Sequence, residues 1–171
     1  MEFARRADGA DLPRLAELWA AADAEIGVQR GGQRLVGSIS RPSELGGVAG
    51  AAELLTDPDR VVVVAGVDAV VLGFTFALLD RRPPVPVAVI EVTFVETGAR
   101  GIGLGESMVA AVVEWAGAHG CAGVDAYALP GNRPAKAFFE TSGFVTRLLT
   151  MHRPLPRPPK PAATAAEPED R

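Results

Sequence analysis

The chain has 171 residues, enough for one domain and short of two. At 48% hydrophobic and 22% charged it is too apolar for a disordered chain and too charged for a membrane bundle, and 17 Lys and Arg against 21 Asp and Glu leave a net charge of −4, with no global attraction to nucleic acid or an anionic membrane. One cysteine, Cys121, and two histidines furnish neither a disulfide framework nor a four-ligand structural zinc site, so a cytoplasmic setting without a structural metal is expected.

Charged Asp8 and Asp11 stand where a leader would carry its apolar core, and no apolar run reaches the roughly 18–20 residues of a membrane span. Residues 3–7 are predicted as a first strand. Asp11 before Leu12 and Pro13 predicts an N-cap, and Leu12, Leu15, Leu18, Trp19 and Ala22 fall on one face of a helix running to about Ile26. Residues 27–48 mix glycines with Arg30, Arg34 and Arg41 and are expected to form a long connection or lid, whose arginines either recognise a carboxylate acceptor or are solvated loop charges. A short helix over 49–55 should end at the turn of Asp57 and Pro58.

The run Val61-Val62-Val63-Val64-Ala65 predicts a buried strand, Asp68 a turn, and 70–79 the returning strand. Prolines 83, 84 and 86 exclude a central strand, so 81–86 connects to a third strand over 87–95, and the short links imply an antiparallel meander. Leu104, Met108, Val112 and Trp115 mark a helix of about four turns that Gly120 should end in the left-handed conformation. A strand near 124–129, a helix after Asn132 and a last strand over 144–152 complete a domain of residues 1–152. The Pro- and Ala-rich tail 153–171 is expected to be disordered.

The chemically telling stretch is 91–105, which passes from a buried strand through a glycine-rich turn into the long helix. Free N–H groups of a first helical turn, the positive end of its dipole and side chains small enough to let a phosphate reach the backbone make such a junction an anion site, with Arg100 at its rim. A Walker loop is excluded because the glycines run into Leu104-Gly105-Glu106-Ser107 without a lysine. A dinucleotide fingerprint is excluded because Glu106 and Met108 occupy the place of its third glycine.

Arg100-Gly101-Ile102-Gly103-Leu104-Gly105 resembles the Arg/Gln-x-x-Gly-x-Gly/Ala signature of the GCN5-related N-acetyltransferases (GNAT family). Downstream, Asn132, Ala135, Phe138-Phe139-Glu140 and Gly143-Phe144 resemble that family's Asn…Ala…Phe-Tyr-Glu…Gly-Phe segment at its spacing. The resemblance covers about residues 3–152 and implies a single α/β (α+β) domain with a mixed, mainly antiparallel sheet flanked by helices, and acetyl-coenzyme A as the acyl donor. It further implies that backbone groups of Thr93, Phe94 and Val95 pair with the pantetheine arm. Residues Arg100, Gly101, Ile102, Gly103, Leu104 and Gly105 would then hold the pyrophosphate, and Asn132 would meet the pantetheine. The implied reaction is acetyl transfer to a primary amine, of a small molecule or a protein, with the backbone N–H near Val95 as oxyanion donor.

Glu91 is the candidate general base, because a carboxylate in an otherwise apolar strand has its pKa raised by desolvation. Glu96, at the strand end, is the fallback. Phe139 is counted with the coenzyme-binding residues and stands where many family members carry a tyrosine able to protonate the leaving thiolate, and Tyr127 is the substitute to consider. Arg133 and Lys136 reach the coenzyme's phosphates or are solvated on a helix surface, and His119 and Cys121 are expected to be packing and surface residues. A non-catalytic acyl-coenzyme A sensor and a homodimer with a shared groove are the rival readings; no nucleic acid, membrane or metal is expected.

Overall fold

The computed structural model of the chain describes residues 1–37, 54–153 and 155. Strand β1 (Glu2–Arg6) leads through a 3-10 turn (Gly9–Asp11) into helix α1 (Leu12–Gly27), followed by the short helix α2 (Gly32–Val36). Residues 54–56 are helical, and the sheet continues through β2 (Arg60–Val67), β3 (Val70–Asp80) and β4 (Val87–Val95). A 3-10 turn (Thr97–Ala99) then precedes α3 (Leu104–Ala118), β5 (Val124–Ala126) and α4 (Arg133–Thr141). The strands lie in chain order, β1 to β4 antiparallel and β5 parallel to β4, so the sheet is mixed and mainly antiparallel, as the short connections imply.

The sheet separates two apolar layers. Leu104, Met108, Val112 and Trp115 of α3 pack on Val61, Val63, Ala77 and Ile90, while Leu15, Leu18 and Trp19 of α1 pack on Val62, Val64, Phe74 and Phe76. The uninterrupted valines of β2 are thereby explained: alternate residues serve opposite layers, so no position is left for a polar side chain. Trp19 lies 4.9 Å from Phe74, stacked on it.

Helix α3 ends as its sequence predicts. Gly120 takes φ +70, Gly120 N–H donates to Gly117 O and Cys121 N–H to Ala116 O, which together form a Schellman closure. The start of α1 differs from its prediction. Asp11 makes no side-chain cap there; Asp8 instead caps the 3-10 turn, with Asp11 accepting from Asp8 N–H at 2.9 Å and from Arg5 at 2.6 and 2.8 Å. The contact of the buried Asp11 carboxylate with the half-exposed Arg5 guanidinium outcompetes the local cap, since a charge-assisted bidentate pair is stronger than one side-chain to amide bond.

Two strand predictions need correction. The fifth strand stops at Ala126, and residues 144–152 belong to no strand although Val145, Thr146 and Leu149 favour one. Strand propensity is realised only against a paired neighbour, and this segment makes no ladder with β5; Val145, Leu149 and Met151 are 78%, 77% and 90% exposed. Of the predicted lid, residues 28–37 are described and contain α2; the remainder, with Arg41 and most of the helix expected over 49–55, lies outside the described residues. No helix among the described residues is long and apolar enough to cross a membrane.

Candidate functional site

The site begins with a break in β4. Phe76 is opposite Val92 and the adjacent Ala77 is opposite Ile90, so Glu91 is an extra residue, the bulge of the β3–β4 ladder. The parallel pairing of β4 with β5 covers Ala88, Val89 and Ile90 and ends where the bulge begins. Beyond it no strand among the described residues pairs with the outer edge of β4. Glu96 N–H donates to Leu72 O at 2.9 Å, and the alternation of an antiparallel pair then turns Val92 and Phe94 toward β3 and the backbone groups of Thr93 and Val95 toward that open edge.

Phe94 therefore departs from expectation. Its amide and carbonyl are engaged toward β3, and what it offers is its ring, 5.8 Å below the Arg100 guanidinium. Arg100 Nε also donates to Val95 O at 2.8 Å, and its Nη2 to Glu25 Oε2 of α1 at 2.7 Å. The Thr93 hydroxyl lies 3.2 Å from that of the fully buried Thr75, which fixes the strand's inner face beside the opening.

The glycine turn brings the chain from this edge to the N-terminus of α3. Gly103 is the N-cap at φ +88 with no side-chain cap, and Gly101 lies at φ +80; a Cβ on either would meet nothing within 4 Å. Glycines with open space at their Cβ positions beside N–H groups without a side-chain cap suit the approach of an anionic oxygen, and the left-handed conformation keeps other residues out. Ile102 is exposed in this turn, while Leu104 is buried in the layer under α3, so what these two add to an anion site is backbone. Gly105 serves a different need. A Cβ there would stand 3.0 Å from the Phe138 ring, so its missing side chain lets α3 lie close to α4.

The carboxylates sort by surroundings. Glu91 sits in the bulge with Oε2 buried. Glu96 is ion-paired with Arg14 at 2.8 Å, and Arg14 also donates to Val71 O and to Glu17, a set of contacts that ties the strand end to α1. Asn132 caps α4, its Oδ1 accepting from Ala135 N–H at 3.0 Å while its Nδ2 donates to Gln29 Oε1 at 2.9 Å. Phe139 is a buried core ring, edge-on to Phe138 at 5.0 Å and to Phe144 at 5.2 Å. Tyr127, just past β5, is 54% exposed. His119 is exposed with its Nδ1 against Trp115 O, and half-buried Cys121, just past the helix end, packs on the α3 layer. Arg30, Arg34 and Arg133 are exposed, and Lys136 pairs with Glu140.

Gln29 and Glu25, which contact Asn132 and Arg100, were invisible to sequence reasoning; they belong to no motif, and Gln29 meets Asn132 across 103 positions. A hollow of about 540 Å³ between α3 and α4, lined by Glu106, Val109, Val113 and Glu114, contains none of the open backbone groups just described.

A family model described as "Acetyltransferase (GNAT) family" matches residues 19–144. No curated protein matches the sequence significantly. Among solved structures, an aminoglycoside acetyltransferase from an uncultured soil metagenomic sample, in complex with sisomicin, superposes with a TM-score of 0.67 at 18% identity, covering 91% of this chain and 97% of that one. An acetyltransferase of Agrobacterium tumefaciens, named as putative, gives 0.66 at 24% identity, covering 90% and 99%. AAC(6')-Iy, in complex with a bisubstrate analog of coenzyme A and acetylneamine, gives 0.64 at 20% identity, covering 91% and 99%.

Proposed function

The chain belongs to the acetyltransferase (GNAT) family, whose acyl donor is acetyl-coenzyme A, and from that premise we propose that it transfers the acetyl group to a primary amine by direct attack, with Glu91 as general base. The observation that carries this reading is the coincidence of the Glu91 bulge with the end of β5 pairing, which leaves a carboxylate at the head of an open strand edge leading to an uncapped helix N-terminus. Fit to the coenzyme rests on that backbone: the outward N–H and carbonyl of Thr93 and the outward N–H of Val95, whose carbonyl accepts from Arg100, suit a polyamide arm added like a strand, and the Gly101–Gly103 turn suits a pyrophosphate.

The chain's own groups have separable tasks. Glu91 takes the proton of the acceptor ammonium, freeing the nitrogen lone pair to bond to the acetyl carbonyl carbon. The Val95 N–H donates to the oxygen that gains charge in the tetrahedral intermediate; the carbon–sulfur bond then breaks with the pair leaving on sulfur, and the remaining extra proton on the attacking nitrogen passes to solvent to leave the neutral amide. Phe139 has no hydroxyl and is buried, so the thiolate takes its proton from solvent or from Tyr127. A small-molecule amine is the acceptor class that the likeness to aminoglycoside acetyltransferases supports.

Calorimetric titration with acetyl-coenzyme A and thiol release across an amine panel test this reading. Gly103→Glu should abolish binding by filling the open turn with a strained, anionic side chain. Glu91→Gln should bind as the parent does while kcat falls by about 10²–10⁴-fold. Parent protein that binds no coenzyme sinks the proposal, and binding without acceptor-dependent release reduces it to a coenzyme-binding module. A second copy of the chain at the β5 end of the sheet is favoured by one further observation, the exposed apolar run of Val145, Leu148, Leu149 and Met151.

A further inference from the structure

Two side chains, Glu25 near the end of α1 and Gln29 just past it, touch the two sequence motifs of the site. Glu25 Oε2 accepts from Arg100 at 2.7 Å on the glycine-turn side, and Gln29 Oε1 accepts from Asn132 Nδ2 at 2.9 Å on the α4 side. The second contact belongs to a relay. Gln29 Nε2 donates to Glu25 O at 3.3 Å, Asn132 Nδ2 donates to Gln29 Oε1, and Ala135 N–H donates to Asn132 Oδ1 at 3.0 Å.

Each amide in this chain of bonds has its oxygen facing a donor or its nitrogen facing an acceptor, so both amide orientations are fixed. The backbone of Gln29 is held as well, its N–H donating to Ile26 O at 3.0 Å and its carbonyl accepting from Gly32 N–H at 2.8 Å. Asn132 thereby keeps one rotamer, with one N–H and one oxygen lone pair uncommitted among the described residues. A half-buried asparagine held only by its cap bond would lose rotamer freedom on engaging a ligand, and that loss weakens binding.

We propose that Gln29 is a positioning residue for coenzyme binding, holding the Asn132 amide ready to donate its free N–H to an amide carbonyl of the pantetheine arm. The inference rests on the reading of Asn132 as a pantetheine contact and extends it to a residue outside the motif. Gln29 touches neither coenzyme nor acceptor in this scheme; it acts through Asn132.

The test is a double-mutant cycle on the dissociation constant of coenzyme A, measured by calorimetry, with thermal midpoints recorded to verify folding. Gln29→Met keeps the side chain's length and removes the acceptor, and should weaken binding about 2–10-fold, as expected for one lost hydrogen bond. Gln29→Glu retains an acceptor oxygen toward Asn132 and should bind within about twofold of the parent. Asn132→Ala should weaken binding at least as much, and adding Gln29→Met to it should change nothing further. In turnover, Gln29→Met should raise KM for acetyl-coenzyme A and leave kcat unchanged. Parent-like binding by Gln29→Met beside a weakened Asn132→Ala, or additive losses in the pair, overturns the proposal and leaves the Asn132 reading standing. Parent-like binding by Asn132→Ala instead removes the reading of Asn132 and this proposal with it.

Discussion

Asp11 shows at the scale of one residue how a local rule yields to a tertiary contact. An aspartate before Leu-Pro carries the signature of a helix cap, yet this carboxylate is buried and spends its oxygens on the Arg5 fork and the Asp8 N–H. The sequence did hold the better clue, since Asp8 and Asp11 have the spacing of a capping box. The Arg5 hydrogen bond holds the Asp11 carboxyl below the usual carboxylate range against the opposing effect of burial. A lowered folded pKa means stabilisation that is complete above the unfolded value near 4 and lost as pH falls through the folded value beneath it. Asp11→Asn should therefore cost about 1–3 kcal/mol at pH 7. In urea titrations the gap to the parent should narrow below about pH 4; a gap independent of pH would show that the Arg5 pair contributes nothing. Asp80 is held at about 2, first by the Arg82 side chain, but Arg82 is almost wholly exposed, so Asp80→Asn should leave stability at neutral pH nearly unchanged.

Among the elements, those whose signal is local were legible and those that depend on a neighbour were not. Helix α3 and its glycine stop follow from an apolar stripe and one left-handed position, and the β3–β4 link follows from its prolines. The bulge was hidden by its own surroundings. Ala88, Ile90, Val92 and Phe94 keep a period of two that reads as one face, whereas the structure sends the first pair to the α3 layer and the second to the α1 layer. In the sequence Gly105 reads only as a phosphate ligand, and its close approach to Phe138 depends on the placement of α4. Gly105→Ala gains about 1 kcal/mol of helix propensity but adds an overpacking cost of about 1–3 kcal/mol. We expect a net loss in the parent and a net gain in a Phe138→Ala background, read as opposite shifts in urea midpoint. The same sign in both backgrounds would show that the ring moves aside freely.

For the whole molecule, the fold and its family were carried by motifs spread over most of the chain, which composition alone could not have supplied. Less legible was the end of the sheet: among the described residues β5 has no second neighbour, and residues 144–152, expected as a strand, do not take that place. Exposed apolar side chains beside an unpaired edge favour association. Sedimentation velocity should show a mass rising with concentration toward two chains, and Leu149→Asp should hold it at one; a single-chain mass for the parent at every concentration defeats the expectation.

Glu91 is surplus to the ladder it interrupts. Were it deleted, Ile90 would meet Ala77 and Val92 would meet Phe76 in unbroken succession, and every apolar residue of β4 would keep its present layer. The register of the ladder does not require the residue, and a chain one residue shorter should make a straighter strand with longer contact to β5. The proposed base and the gap it would serve thus rest on one and the same residue, and a deletion there would remove both at once where a substitution removes only the carboxylate.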